Sequence, residues 1–269
     1  MDVRNAEDQH VLHEKDAVKL LLGLAGFVFA VGVSLAASAQ QASLQPPPPA
    51  RLLLTPSTPL PKDGTYIAND KIGFTVDHQG GQVRLRFVDN DEVFYLTSET
   101  APMGGRVLKY DTGVVALQVT GWGGITLYTA AAKGGLPAEF VDVTMSVDPP
   151  PVAAKDMKSF ASKLAQDLSS GSDFAIGFAA DWEHIPQSDT LRALMCDAMR
   201  NATYALEEIA KSNKRGAVAE RLHIVRVLQG ARPGVSVQKG ILAVTIAPQE
   251  GIGARPSSLA ILRAVQAAL

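Results

Sequence analysis

Gln82-Val83-Arg84-Leu85-Arg86-Phe87-Val88-Asp89-Asn90-Asp91-Glu92-Val93-Phe94-Tyr95-Leu96 reads as a strand, a turn and a second strand. Val83, Leu85 and Phe87 alternate with Arg84 and Arg86, the period of two that leaves one face of a strand apolar. Asp89-Asn90-Asp91 is a turn triplet, because these short side chains bond their own backbone and tolerate tight conformations. Residues 92–96 then return as the second arm of a hairpin. Working outward, residues 105–110, 113–119 and 125–128 are further short strands, separated by Asp111-Thr112-Gly113 and by Gly121-Trp122-Gly123-Gly124. Turns about every ten residues predict an antiparallel meander, a small barrel or sandwich. Phe140-Val141-Asp142-Val143-Thr144-Met145 sits inside a Gly- and Pro-rich stretch that ends at Pro149-Pro150-Pro151. A linker has no use for an alternating apolar stretch, so it predicts one more strand completing the β half, and an apolar interface with the C-terminal half of the chain.

Beyond Val152 the period changes. Met157, Phe160, Ala161, Leu164 and Leu168 recur at helical spacing. In residues 174–179, Phe174, Ile176 and Phe178 alternate with Ala175, Gly177 and Ala179, which predicts a buried strand whose small face lets a helix approach. Ser188 opens the longest helix, with Leu191, Leu194, Met195, Ala198, Met199, Ala202, Leu206 and Ile209 as its apolar stripe and Arg192, Asp197 and Arg200 off it. The three large residues of the strand should pack against that stripe. Residues 222–228 are rich in β-branched side chains, and 235–238 and 241–246 flank Lys239-Gly240 as a hairpin. Pro256-Ser257-Ser258 caps a final helix. The fold class is therefore α+β: an N-terminal antiparallel meander followed by a helix-covered mixed α/β layer.

The first 62 residues have other grammar. Residues 20–37 are apolar with Ser34 the one polar exception, Lys15 and Lys19 precede them, and Ala37-Ser38-Ala39 closes them. Positive flank, apolar middle and small-residue exit describe a signal peptide; the length of the run also suits an N-terminal membrane anchor. No cysteine lies near the exit, which excludes a lipoprotein. Residues 40–62, with Pro46-Pro47-Pro48-Pro49, Pro56, Pro59 and Pro61, form a semi-rigid linker. The expected organisation is 1–39 signal peptide or anchor, 40–62 linker, 63–148 β-rich half and 152–269 α+β half. Both readings of the leader place the body in the periplasm, with a membrane contact only through the N-terminal segment if it is kept.

Residues 40–269 carry equal numbers of acidic and basic side chains, so the electrostatic footprint of a nucleic-acid binder is missing. The single cysteine, Cys196, excludes an intrachain disulfide and a Cys-based zinc cluster, and its place on the long helix reads as a small core residue. His78, His184 and His223 have no spacing that would hold a metal, and nothing calls for a cofactor.

Leu85-Arg86-Phe87, Ala101-Pro102-Met103-Gly104, Tyr110-Asp111-Thr112-Gly113, Pro233-Gly234-Val235 and Gly253-Ala254-Arg255-Pro256-Ser257-Ser258 are distinctive stretches. Together they resemble an alphaproteobacterial family of exported proteins known as a domain of unknown function, number 4908. The resemblance runs from about Thr65 to the end. It implies export and assigns no chemistry.

H-E-x-x-H, G-x-S-x-G, the P-loop and C-x-x-C are all missing. The candidate catalytic residues are Asp181, Glu183 and His184 of Asp181-Trp182-Glu183-His184, directly after the 174–179 strand, where two carboxylates and an imidazole could supply an acid, a base or ligands. The blander alternative anchors Trp182 in the core and solvates its charged neighbours. Trp122 is a candidate binding platform for a sugar or peptide, although glycine-permitted inward packing of the indole is the favoured reading. The function expected is a non-enzymatic binding or interaction module of the envelope, its partner an envelope protein or glycan. The alternative is a periplasmic hydrolase of unrecognised type using Asp181, Glu183 and His184. A hydrolase would gather those three in a concave pocket, and a binding module would splay them into solvent.

Overall fold

The computed structural model describes residues 60–143, 148, 151–172, 174–251 and 253–269. The expected signal peptide or anchor and nearly all of the linker lie outside the described residues. Among those described, no helix is long and apolar enough to cross a membrane.

Eight strands follow one another: β1 (Gly64–Ala68), β2 (Ile72–Gln79), β3 (Gln82–Phe87), β4 (Phe94–Ala101), β5 (Gly105–Lys109), β6 (Val115–Val119), β7 (Ile125–Leu127) and β8 (Leu136–Asp142). Each pairs antiparallel with the next, and β8 returns to β1, closing a barrel. Closure removes the sheet edges that an open meander would expose. The interior is filled with side chains, among them Phe74, Leu85, Leu108, Leu117 and Leu127, as an eight-stranded barrel requires. The predicted 140–145 strand is found as β8, shifted to begin at Leu136; Thr144 and Met145 lie outside the described residues.

In the opening hairpin, Val83 pairs with Leu96, Arg84 with Tyr95 and Leu85 with Phe94. Two details differ from the expectation. Glu92 and Val93 belong to the connection, and Arg84 is buried although its strand position reads as the wet face. Asp77 and Asp148 explain the second: both carboxylates accept from the Arg84 guanidinium, with Nη1 2.8 Å from Asp148. Burial works against the charge, and these two partners more than offset it, raising the Arg84 pKa.

The second half contains α1 (Met157–Ser172), β9 (Gly177–Ala179), α2 (Asp189–Ala210), α3 (Arg215–Arg221), β10 (Ile224–Gln229), β11 (Gly234–Gln238), β12 (Ile241–Ile246) and α4 (Ser258–Ala268). The sheet order is β11-β12-β10-β9, with β12, β10 and β9 parallel and β11 antiparallel to β12. Ser188 caps α2 by accepting from the Leu191 N–H, and Ser257 caps α4 by accepting from Ala260. Phe174 and Ile176 are buried with Leu194, Met195, Ala198 and Leu206 as expected, but both precede the strand, and Phe178, expected to be buried with them, is only partly buried. Only Gly177–Ala179 pairs as a strand, at the sheet edge.

Arg192, expected off the apolar stripe, is buried instead. Its guanidinium donates to the carbonyls of Val152, Pro186 and Gln187 and pairs with Asp189, tying the approach to α1 and the entry to α2 together. The short α3, with Val218 as its one buried residue, has too few apolar positions to show a period.

The two halves keep separate apolar clusters, one inside the barrel and one between sheet and helices. Leu259 of α4 is the apolar side chain that packs across onto the barrel cluster. The bonds that join the halves are otherwise polar, so the expected apolar interface is met only in part, at Leu259 and where Gly253 meets the Tyr95 ring.

Candidate functional site

Two loops at one barrel end grip the start of α4. Asp111, in the β5–β6 connection, accepts from the Ser257 N–H at 2.7 Å and the Ser257 hydroxyl at 2.6 Å. Glu92, in the β3–β4 connection, accepts from the Ser258 N–H at 2.8 Å and from the Ser258 hydroxyl. A helix N-terminus presents unpaired N–H groups and positive potential, so two carboxylates are well placed there. Arg255 completes the joint. Its Nε lies 3.1 Å from Asp197 of α2, its Nη2 donates to the Val93 carbonyl at 3.1 Å, and its guanidinium sits 5.3 Å over the Tyr95 ring. Asn201 of α2 donates to the Pro256 carbonyl at 2.9 Å. Gly253 presses its backbone on Tyr95, where an added Cβ would come within 2.6 Å of the ring.

Against this joint lies a cavity of about 290 Å³, lined among others by Glu92, Tyr95, Asp189, Arg200, Tyr204 and Arg255. Asp91, Asp148 and Asp197 add to the carboxylates, which outnumber the two guanidiniums. Cys196 also touches it, but burial pushes the thiol up to about 11, and its Sγ lies 3.4 Å from the Met157 sulfur. A thiol held protonated is a packing group and a poor nucleophile.

Burial pushes Glu92 up to about 7; the Ser258 hydroxyl and N–H and the Arg255 charge pull the other way. The Ser258 hydroxyl can donate to the carboxylate or accept from the acid, so both protonation states fit the joint. The native chain therefore keeps a proton that the unfolded chain releases near pH 4.5. The stability this confers is complete below the unfolded value and is lost as pH rises through about 7. Urea unfolding is expected to show a decline of about 3 kcal/mol across that window, at roughly 1.4 kcal/mol per pH unit. Glu92→Gln should flatten it, and an unchanged slope in that variant would assign the decline to another group.

A second cavity, of about 250 Å³, opens at the C-terminal ends of the parallel strands, where Gln229 ends β10 and Ile246 ends β12. Asp181 and His184 line it, with the His184 Nδ1 3.0 Å from the Asp181 carboxylate. That hydrogen bond holds the exposed Asp181 carboxyl below its usual range. Glu183 is exposed and is not among the lining residues, so two of the three candidates meet and the third does not. Trp182 is partly buried against the core of its half. The lining offers no hydroxyl or thiol as a nucleophile. Among the described residues, no group of three or more His, Cys, Asp and Glu side chains could hold a metal ion.

Trp122 does not pack inward. It stands 76% exposed at the β6–β7 tip. Val119 and Ile125 already occupy the barrel cluster, and the Thr120 hydroxyl closes the turn by accepting from the Gly124 N–H at 2.9 Å, leaving the indole outside.

Sequence reasoning overlooked the joint. Glu92 looked like a strand residue, Asp197 and Arg200 like a solvated helix face, and Gly253–Ser258 like a cap with no partner. The signal was present in the stretches that carry the family resemblance, since Asp111, Arg255, Ser257 and Ser258 all lie within them.

A closed meander barrel clasped to the N-terminus of a helix in a mixed α/β layer defines a two-part α+β protein. The chain belongs to the family described as Domain of unknown function (DUF4908), which matches residues 51–265. No curated protein and no solved structure matches it.

Proposed function

We propose that the chain is an exported, non-enzymatic binding module of the cell envelope that takes a group of its partner into the cavity at the joint. The observation that carries this reading is the cavity itself. It is concave and flanked by Tyr95 and Tyr204, with carboxylates largely paired to guanidiniums and with Glu92, Asp197 and Arg255 held in structural hydrogen bonds. Such a lining recognises charge and shape; its groups are engaged in holding one another, which suits binding more than turnover. Export rests on the apolar run at 20–37 with its Ala37-Ser38-Ala39 exit.

Cell fractionation combined with site-specific photocrosslinking tests the proposal. A crosslinking residue at Thr190, on the cavity lip, should give one discrete adduct in the envelope fraction, and one at the exposed Glu220 of α3 should give none. Recovery of the chain in the cytosol, or equal adducts from both positions, overturns it.

The Asp181–His184 pair at the strand ends favours a second reading, a periplasmic hydrolase in which Asp181 orients His184 as the base that activates water. A turnover abolished by His184→Ala with folding intact would select it.

A further inference from the structure

In a closed eight-stranded meander the connections alternate between the two ends. The β3–β4 and β5–β6 connections, which hold Glu92 and Asp111, are therefore at one end, capped by α4. The β2–β3, β4–β5 and β6–β7 connections, the start of β1 and the finish of β8 are at the other; the β2–β3 tip is polar, and its Gln79 faces the cavity at the joint.

That second end gathers exposed apolar side chains. Met103 is 82% exposed, Trp122 76%, Val143 72% and Val141 59%, with Phe140 beside them and Leu60 in the segment leading into β1. Elsewhere among the described residues the exposed large apolar side chains are Val88, Val114 and Leu228, scattered singly. Isolated apolar residues on a surface mean little, whereas a group at one end marks a contact.

The two tips are built to hold their shape. Gly121 packs its backbone against the Met103 carbonyl so closely that a Cβ would sit 2.5 Å from that oxygen. Met103 itself has φ 58°, the left-handed region where glycine is the ordinary choice, yet a long apolar side chain occupies it. Pro102-Met103-Gly104-Gly105 and Thr120-Gly121-Trp122-Gly123-Gly124 contain no charged residue. Behind them Lys62, Asp63, Arg106, Glu139 and Asp142 mix both signs, so the end has no electrostatic preference for an anionic surface.

We infer that this barrel end rests in the interfacial layer of the lipid bilayer, with Trp122 and Met103 inserted among the headgroups. Tryptophan favours the membrane–water interface, where its ring is half apolar and its N–H stays wet. The chain's own route selects lipid as the occupant. The apolar run at 20–37 is followed by the Pro-rich stretch 40–62, which enters the fold at this same end. At about 3.1 Å per residue a spacer of that length reaches roughly 70 Å, so a chain held by residues 20–37 can bring this end onto the membrane. The inference depends on the proposed export with residues 20–37 retained, and not on the cavity at the joint.

The test uses the full chain with Trp182→Phe, which leaves Trp122 as the single tryptophan, mixed with zwitterionic phosphatidylcholine vesicles. Trp122 emission should move to the blue and be quenched by brominated lipid. The effect should persist from about 0.1 to 1 M salt, where screening removes long-range charge attraction. Met103→Ser with Val141→Ser should cut the quenching several-fold without altering the circular dichroism. Vesicles that float with the chain while Trp122 stays unquenched overturn the inference and leave export and the cavity untouched. Failure to float overturns it as well. So does shielding of Trp122 from aqueous quencher by an added envelope protein or glycan when vesicles do not shield it.

Discussion

Arg255→Ala is expected to lower the unfolding free energy by about 3–5 kcal/mol, the range seen when one member of a buried ion pair is removed. Arg255 is only 5% exposed and touches both halves at once. Its loss strips Asp197 of one partner, leaves the Val93 carbonyl without its donor and removes the positive charge that restrains Glu92. Arg200, 3.1 Å from Asp197, limits the damage on the α2 side. No such substitute faces Val93 in the set of bonds that Arg255 makes. Because the joint is polar and the two apolar clusters are separate, the variant should also divide a single calorimetric transition into two. Arg255→Lys should recover only part of the loss, since an ammonium cannot reproduce the planar fork or stack on Tyr95. Calorimetry and urea unfolding of the three proteins decide the point. An Arg255→Ala protein within about 1 kcal/mol of the parent would mean that the joint is not held there.

Phe74→Ala should cost a comparable amount, about 3–5 kcal/mol, by emptying the middle of the barrel. Phe74 is fully buried on β2 and stacks on Tyr66 with ring centroids 5.4 Å apart. The barrel has no edge through which neighbours could collapse into the gap, so little of the cavity can be recovered. For a body of this size each kcal/mol lowers Tm by about 2–4 °C, so a fall on the order of 10 °C is expected. If the Arg255 joint couples the halves, the whole transition should move down together. A variant in which only part of the heat absorption shifts would show the barrel melting by itself.

Much of the fold was legible along the chain because it depends on local periodicity. Alternation at Val83, Leu85 and Phe87 placed a strand, and the stripe from Leu194 to Ile209 placed a helix that buries those residues. Ser188 and Ser257 marked helix starts, because a cap is a contact between residues three apart. The α3 helix escaped for the same reason in reverse, since seven residues with one buried side chain carry no period.

What the sequence determined by itself was thus the order and kind of the elements, the apolar leader grammar and the lack of a recognisable catalytic motif. Tertiary structure alone decided closure, because whether β8 finds β1 depends on strand tilt and stagger, which no single segment encodes. It alone decided the joint. Glu92 and Ser258 are 166 positions apart and Arg255 and Val93 are 162, and nothing in a charged residue's neighbours says that it will be buried. Pairing that a strand or helix period cannot show reverses the solvation that a local reading assumes, which is why Arg84 and Arg192 looked wet and are not. Trp122 errs in the opposite direction. Its glycines allowed both orientations, and the occupied barrel interior left the indole only the outside.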